Sequence, residues 1–299
     1  METSNRVLRS LLATAAAAAL VLGGCSAGSS TAPGSIPASN PAAPSKPTAV
    51  PATPTPTAAP TPAPTLADFF MRCPTAQEVA DVNSRLKITF EGSLNSTLVC
   101  YAASGSADLT AIQKKSYQTI IIMKYIQFSK PLPWTDKQLY DWLTVASGIT
   151  GIRFAYAQND PNNQLLSFCC SPAHTLVIYY RETNFLATTD VWTNERMGVG
   201  LSDIASLLLH EARHNLFGPH TCGRNDKTLA EMGPVAVEYY FFKWIESYSD
   251  RAFFEAPGVD PDRYLYSAQY NAYRLRASYF CNEPPVDLTK YEQQPLPPQ

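Results

Sequence analysis

Three of the four histidines fall within Leu208 to His220, at positions 210, 214 and 220, and Glu211 directly follows the first. His210 and His214 are four residues apart, so on a helix their imidazoles stand one turn above the other and can grip one ion. Glu211 lies about 100° round that helix, within reach of a water on the ion without having to ligate it. This H-E-x-x-H spacing suits two neutral imidazoles on zinc with the glutamate as general base. Zinc lowers the pKa of its water to about 7, and a carboxylate can then take the proton as the water attacks a carbonyl.

The alternative is an ordinary solvated helix. A helical wheel of Ser202 to Arg213 puts Ser202, Ser206 and Arg213 in one polar sector, expected to face solvent. His210, Glu211 and His214 lie away from it, on the arc of Ile204, Leu207 and Leu208. Imidazoles and a carboxylate among leucines are costly to bury unless a metal satisfies them. The active-site helix and the turn after it resemble the zincin superfamily of zinc metallopeptidases. That resemblance implies a small sheet beside the helix, a cleft between the two, and a peptide or protein substrate.

Catalytic zinc usually keeps three protein ligands and one water, and the resemblance offers two routes to the third. In the metzincin branch it is a histidine six residues after the second, beyond a turning glycine. His220 has that spacing, but Phe217 stands in the glycine position and the glycine is Gly218. A methionine turn also belongs to that branch, and Met232 before Gly233-Pro234 is the candidate. In the gluzincin branch the third ligand is a glutamate on a following helix. Glu231, in a segment that Asp226 caps, meets this better than Glu238, which lies past Pro234. The balance tips towards Glu231, because a helix holds a ligand better than a turn with a displaced glycine. Arg213 reads as structural, pairing with a carboxylate. Tyr239, Tyr240, Tyr264, Tyr266, Tyr270 and Tyr273 are candidate donors to a transition-state oxyanion.

The elements that position these residues occupy the second part of the chain. Residues 1–24 read as a lipoprotein signal peptide: Arg6 and Arg9, an apolar run from Leu11 to Leu22, then Gly23-Gly24-Cys25 with Cys25 as the lipidated residue. The run is too short for a comfortable membrane span. Residues 25–65 are rich in Pro, Ser, Thr and Ala, a disordered, semi-rigid linker. Residues 66–299 suit one domain. The 299-residue chain has a formal net charge of −2, so neither nucleic acid nor an anionic surface is implied as partner. The membrane is reached through the lipid anchor, and the location is the outer face of a bacterial cell or outer membrane.

Six cysteines remain after Cys25, an even number that suits disulfides in an exported domain. The expected pairs are Cys73 with Cys100, and Cys169 and Cys170 with Cys222 and Cys281 in either order. A bridge between the adjacent Cys169 and Cys170 would be strained.

Thr75-Ala-Gln-Glu78 is a capping box opening a helix to about 86. Residues 86–90 and 97–101 read as a strand pair, and 165–169 as a further strand. Residues 107–128 and 135–146 read as helices, 152–156 and 175–180 as strands. Helices at 202–217, 226–249 and 262–280 follow. The order is α+β with a helical C-terminal part. The strand at 175–181 is the candidate sheet edge where a peptide could add, and His174 at its start reads as a surface or core histidine rather than a ligand. The chemistry expected is zinc-dependent peptide hydrolysis at the cell surface. The competing reading is a non-enzymatic zinc-binding lipoprotein acting as a binding or structural module.

Overall fold

The computed structural model describes residues 64–92, 96–157, 166–168, 174–181, 185–186, 200–255 and 261–292. All of them belong to the unit that begins at Ala59. Cys25, Cys169, Cys170 and the signal and linker segments lie outside the described residues. The fold mixes helix and sheet, as an α+β reading requires.

Helix α1 (Leu66–Met71) leads into α2 (Ala76–Arg85), which opens on the expected box. Glu78 N–H donates to Thr75 Oγ1 at 3.1 Å and Thr75 N–H to Glu78 Oε2 at 2.9 Å, so two orphan donors are satisfied reciprocally. Strands β1 (Lys87–Glu91) and β2 (Leu98–Cys100) form where expected but do not pair with each other. Strand β2 pairs with the short β3 (Leu109–Thr110), and the Cys73–Cys100 disulfide holds it beside the α1–α2 junction. That leaves β1 free to join the main sheet. Helix α3 is shorter than expected, Ala111–Ile122, because Thr110 and Gln113 build a second capping box three residues inside the expected start. Its Ile120, Ile121 and Ile122 are buried, so packing overrides their low helix propensity.

Thr135 does not open the next helix; its hydroxyl accepts locally from Lys137 N–H at 3.1 Å. Helix α4 (Leu139–Asp141) runs on into a π-helical turn, Trp142–Ala146, which ends at Gly148 with φ of 74°. Strands β4 (Gly151–Tyr156), β5 (Leu166–Phe168) and β6 (Thr175–Tyr180) complete the sheet, in the order β1-β4-β6-β5. The first three are parallel, with Phe90 opposite Phe154 and Phe154 opposite Ile178. Ile152, Phe154, Leu176, Ile178 and Tyr180 are all 0 % exposed, and their alternation and register put them on one face of the two inner strands, which the core covers completely.

The edge assignment is corrected by this topology. Strand β6 is interior, between β4 and β5, and the edge beside it is the antiparallel β5, where Ser167 faces Ile178.

Helix α5 (Leu201–Phe217) packs on α3, the sheet and the following helix α6 (Pro234–Tyr248). It is buried all round over most of its length. Ser202 and Ser206 are 2 % and 5 % exposed, so the sector expected to face solvent does not. The expected helix 226–249 begins only at Pro234, whose missing N–H costs nothing at a first helical position. Before it lie a loop and one 3₁₀ turn, Leu229–Glu231. Helices α7 (Arg251–Phe254), α8 (Pro261–Ser278) and α9 (Thr289–Glu292) follow, and α8 packs along α6. No helix among the described residues is long and apolar enough to cross a membrane.

Candidate metal centre

The last turns of α5 carry His210, Glu211 and His214, and the chain then turns back at Gly218. Gly218, one place later than the metzincin pattern has it, takes φ of 91°, and its N–H still closes on His214 O at 3.0 Å. The displaced glycine therefore lets the helix run through Phe217 and then reverses the chain, returning His220 to the other two. The three rings lie with centroids 4.6 to 5.1 Å apart, and one ligand atom from each falls within 4.8 Å of the others.

Each Nδ1 faces an oxygen. His214 Nδ1 donates to Gly218 O at 2.7 Å. His220 Nδ1 donates to Asp226 Oδ1 at 2.9 Å, since a carboxylate there can only accept. His210 Nδ1 lies 3.3 Å from Glu238 Oε1, close enough to attract though not aligned as a hydrogen bond. With the protons on Nδ1, the Nε2 lone pairs are what the rings present inward. His210 Nε2 and His214 Nε2 are 3.2 Å apart. Two nitrogens about 2.0–2.1 Å from one tetrahedral ion stand about 3.3 Å from each other. Two facing lone pairs at that distance repel unless a cation or proton lies between them.

The surroundings bias the rings differently. Burial opposes charge on His210, but the Glu238 carboxylate, with Glu211 and Asp226 beyond it, outweighs burial and raises its pKa. Burial lowers that of His214, helped by the neighbouring His210 and His220. Glu211 is 6 % exposed.

Glu231, the favoured third ligand from sequence, is turned elsewhere. Its Oε2 accepts from Thr221 Oγ1 at 2.5 Å and from Lys227 N–H at 3.2 Å, tying the loop together. It sits on the 3₁₀ turn rather than on an α-helix. The geometry thus brings His220, not Glu231, to the pair. Met232 occupies the turn before α6 with φ of 53°, and its carbonyl accepts from Arg213 Nε at 2.8 Å. Arg213 is structural as expected, with a carbonyl as partner instead of a carboxylate. His174 stands apart: it is exposed and pairs through Nδ1 with Asn215 Oδ1 at 2.6 Å, while Asn215 Nδ2 donates to Ser147 O. Tyr239 and Tyr264 are core residues.

Two acidic residues, Asp226 and Glu238, stand beside the imidazoles without a local sequence signal for it. Asp226 had the look of a helix cap at 226, and Glu238 lay behind the expected kink at Pro234. A carboxylate six residues past His220 and another one turn into α6 were visible, but nothing local linked them to particular rings.

The cysteine pairing is also corrected. Cys73–Cys100 forms as expected, but Cys222 bonds Cys281, so neither is left for Cys169 or Cys170. In sequence Cys169 and Cys170 looked the only companions for those two. The structure brings the segment after α8 against the loop at 222, where Cys281 N–H donates to Asp226 O at 3.0 Å. Disulfides of this kind belong to an oxidising, extracytoplasmic environment.

Comparisons of the chain with family models, with characterised proteins and with solved structures gave no match.

Proposed function

We propose that this chain is an exported, lipid-anchored zinc peptidase of the zincin type, cutting peptide bonds of a peptide or protein at the cell surface. The observation that carries the reading is the convergence of three imidazoles, each with Nδ1 turned to an acceptor and Nε2 turned inward. Three neutral nitrogens fit the ligand count of a catalytic zinc, with His210, His214 and His220 holding it. Zinc bound there would polarise a water and bring its pKa to about 7. Glu211, next to His210 on the same helix, would be the base that takes a proton from the attacking water and returns it to the leaving nitrogen as the peptide C–N bond breaks. Gly218 O keeps the His214 imidazole oriented, and the Glu238 carboxylate attracts that of His210. An extended peptide would add along the β5 edge, which packs against α5.

The test is Glu211→Gln in the full chain, assayed on a broad peptide library with bound metal quantified. Zinc is expected to stay while turnover falls on the order of a hundredfold or more. If the wild type cuts nothing, or Glu211→Gln cuts as well, the peptidase reading fails and a zinc-binding surface module replaces it. Anchoring has its own check: Cys25→Ser should release the protein from membranes, and retention in high salt would refute lipidation.

A further inference from the structure

Asp226 is 0 % exposed, and every polar group it owns is committed. Its Oδ1 accepts a hydrogen bond from His220 Nδ1–H at 2.9 Å. Its Oδ2 accepts from Val235 N–H at 2.9 Å and lies 3.4 Å from Ala236 N, so it caps the start of α6. Its backbone is clamped as well: Asp226 N–H donates to Tyr279 O at 3.2 Å and Cys281 N–H to Asp226 O at 3.0 Å. Gly233 makes room for the carboxylate, because a Cβ there would overlap it, with Cγ of Asp226 only 2.7 Å away. A carboxylate held at Oδ2 by α6 and carried on a backbone bonded at both N–H and C=O cannot turn to suit the imidazole. The imidazole has to suit the carboxylate.

We infer that Asp226 is a positioning residue that holds His220 as the Nδ1–H tautomer, with its Nε2 lone pair aimed at His210 and His214, and thereby sets the metal affinity of the centre. The inference rests on the metal centre proposed above. A carboxylate on the far nitrogen also raises the basicity of the ligating one, and removing such a partner typically costs about 10–100-fold in metal affinity.

Asp226→Asn separates this role from helix capping. Val235 N–H still needs an acceptor, so the amide oxygen turns to Val235 and the NH₂ turns to His220. His220 Nδ1 must then accept, its proton moves to Nε2, and the lone pair that would ligate is lost. The cap on α6 survives, because an asparagine oxygen caps nearly as well as an aspartate.

The experiment is long-range ¹⁵N–¹H NMR of histidine-labelled full chain without metal, above the pH range where the rings titrate, followed by zinc titration. Wild type is expected to show His220 as the Nδ1–H form. Asp226→Asn is expected to show the Nε2–H form and about 10–100-fold weaker zinc binding, with a thermal midpoint near wild type. A wild-type His220 in the Nε2–H form overturns the inference without any variant. So does an Asp226→Asn protein that binds zinc as tightly as wild type. If the asparagine variant fails to fold, the metal-free wild-type tautomer still decides, because the inference requires His220 in the Nδ1–H form. If wild type binds no zinc at all, the proposed function fails, and the metal-free tautomers still decide the role of Asp226.

Discussion

His210 and His214 ride on α5, whereas His220 sits in the stretch between Gly218 and Gly233, and the two supports are built differently. Helix α5 is sealed by Leu201, Ile204, Ala205, Leu208, Leu209 and Ala212, all 0 % exposed. Each buried leucine or isoleucine contributes roughly 1.5–3 kcal/mol, and the backbone ladder then fixes residues 210 and 214 one turn apart. The loop has no such seal. Cys222, Gly223, Arg224, Asn225 and Lys227 are half-buried or exposed, and the loop is held by point fastenings. These are Thr221 to Glu231, Asp226 to α6, Cys222 N–H to Asn225 O, and the Cys222–Cys281 disulfide. A ligand on a core helix is placed by its own segment; one on a loop is placed by whatever the loop is tied to.

The sharpest way to break this contrast is at the helix. His210→Ala or His214→Ala should abolish zinc binding by the full chain, and stoichiometric metal in either variant, measured by atomic emission, would remove the site altogether.

The next largest effect should distinguish the two disulfides. Replacing Cys222 and Cys281 by serine unfastens the loop, so zinc affinity should fall about tenfold or more, the scale of a lost supporting contact. Hydrogen exchange in residues 220–228 should quicken. Replacing Cys73 and Cys100 removes roughly 2–4 kcal/mol of stability but touches no support of the imidazoles, so zinc affinity should hold. Equal losses of affinity from the two double variants would erase the distinction between the regions.

The same contrast explains what the sequence made legible. The α5 histidines, the Thr75–Glu78 box and the apolar runs of β4 and β6 are local patterns, each fixed by residues within a turn or a strand of one another. The partners of His220 are not local. Asp226 reaches α6 across Pro234, and Cys222 meets Cys281 across 59 residues. Spacing says nothing about such meetings. The edge strand failed for a related reason: alternation and apolar content mark β6 as a strand, but only the pairing of β5 shows which of the two is outermost. Likewise, a helix from 226 follows from taking Asp226 as its cap, whereas Pro234 marks the start of α6.

A smaller effect is expected in the N-terminal region, remote from the loop. Arg72 grips Glu78 through two hydrogen bonds of 2.6 and 2.7 Å, and Glu78 also accepts from Thr75 N–H. Burial pushes the Glu78 carboxyl up, but Arg72 and the Thr75 contacts outweigh it and the pKa is lowered. A folded value below the unfolded one means stability that is full above the unfolded pKa and is lost as pH falls through the folded value. Glu78→Gln should therefore cost about 1–2 kcal/mol near neutral pH, less in acid, and nothing in zinc affinity. Urea melts at the two pH values check this. A loss of stability that is as large in strong acid would show that Glu78 acts through packing rather than charge.

The smallest effect should come from Glu231, and it bears most directly on how the loop works. Glu231 fastens Thr221 and Lys227 N–H, two contacts on the same carboxylate oxygen, and neither involves an imidazole. Glu231→Gln keeps an oxygen there and loses only the charge on two hydrogen bonds. The loop should lose less than about 1 kcal/mol and zinc affinity should change by less than about threefold. His220→Asn, made beside it, keeps a polar side chain of smaller reach in the same loop but withdraws the inward nitrogen, so zinc binding should collapse as it does in the helix variants. The two substitutions lie eleven residues apart on one loop, so general loosening would affect them alike. Only ligation separates them. If Glu231→Gln loses most of the zinc while His220→Asn loses about tenfold, the loop closes differently in solution, and the carboxylate replaces His220 as third ligand.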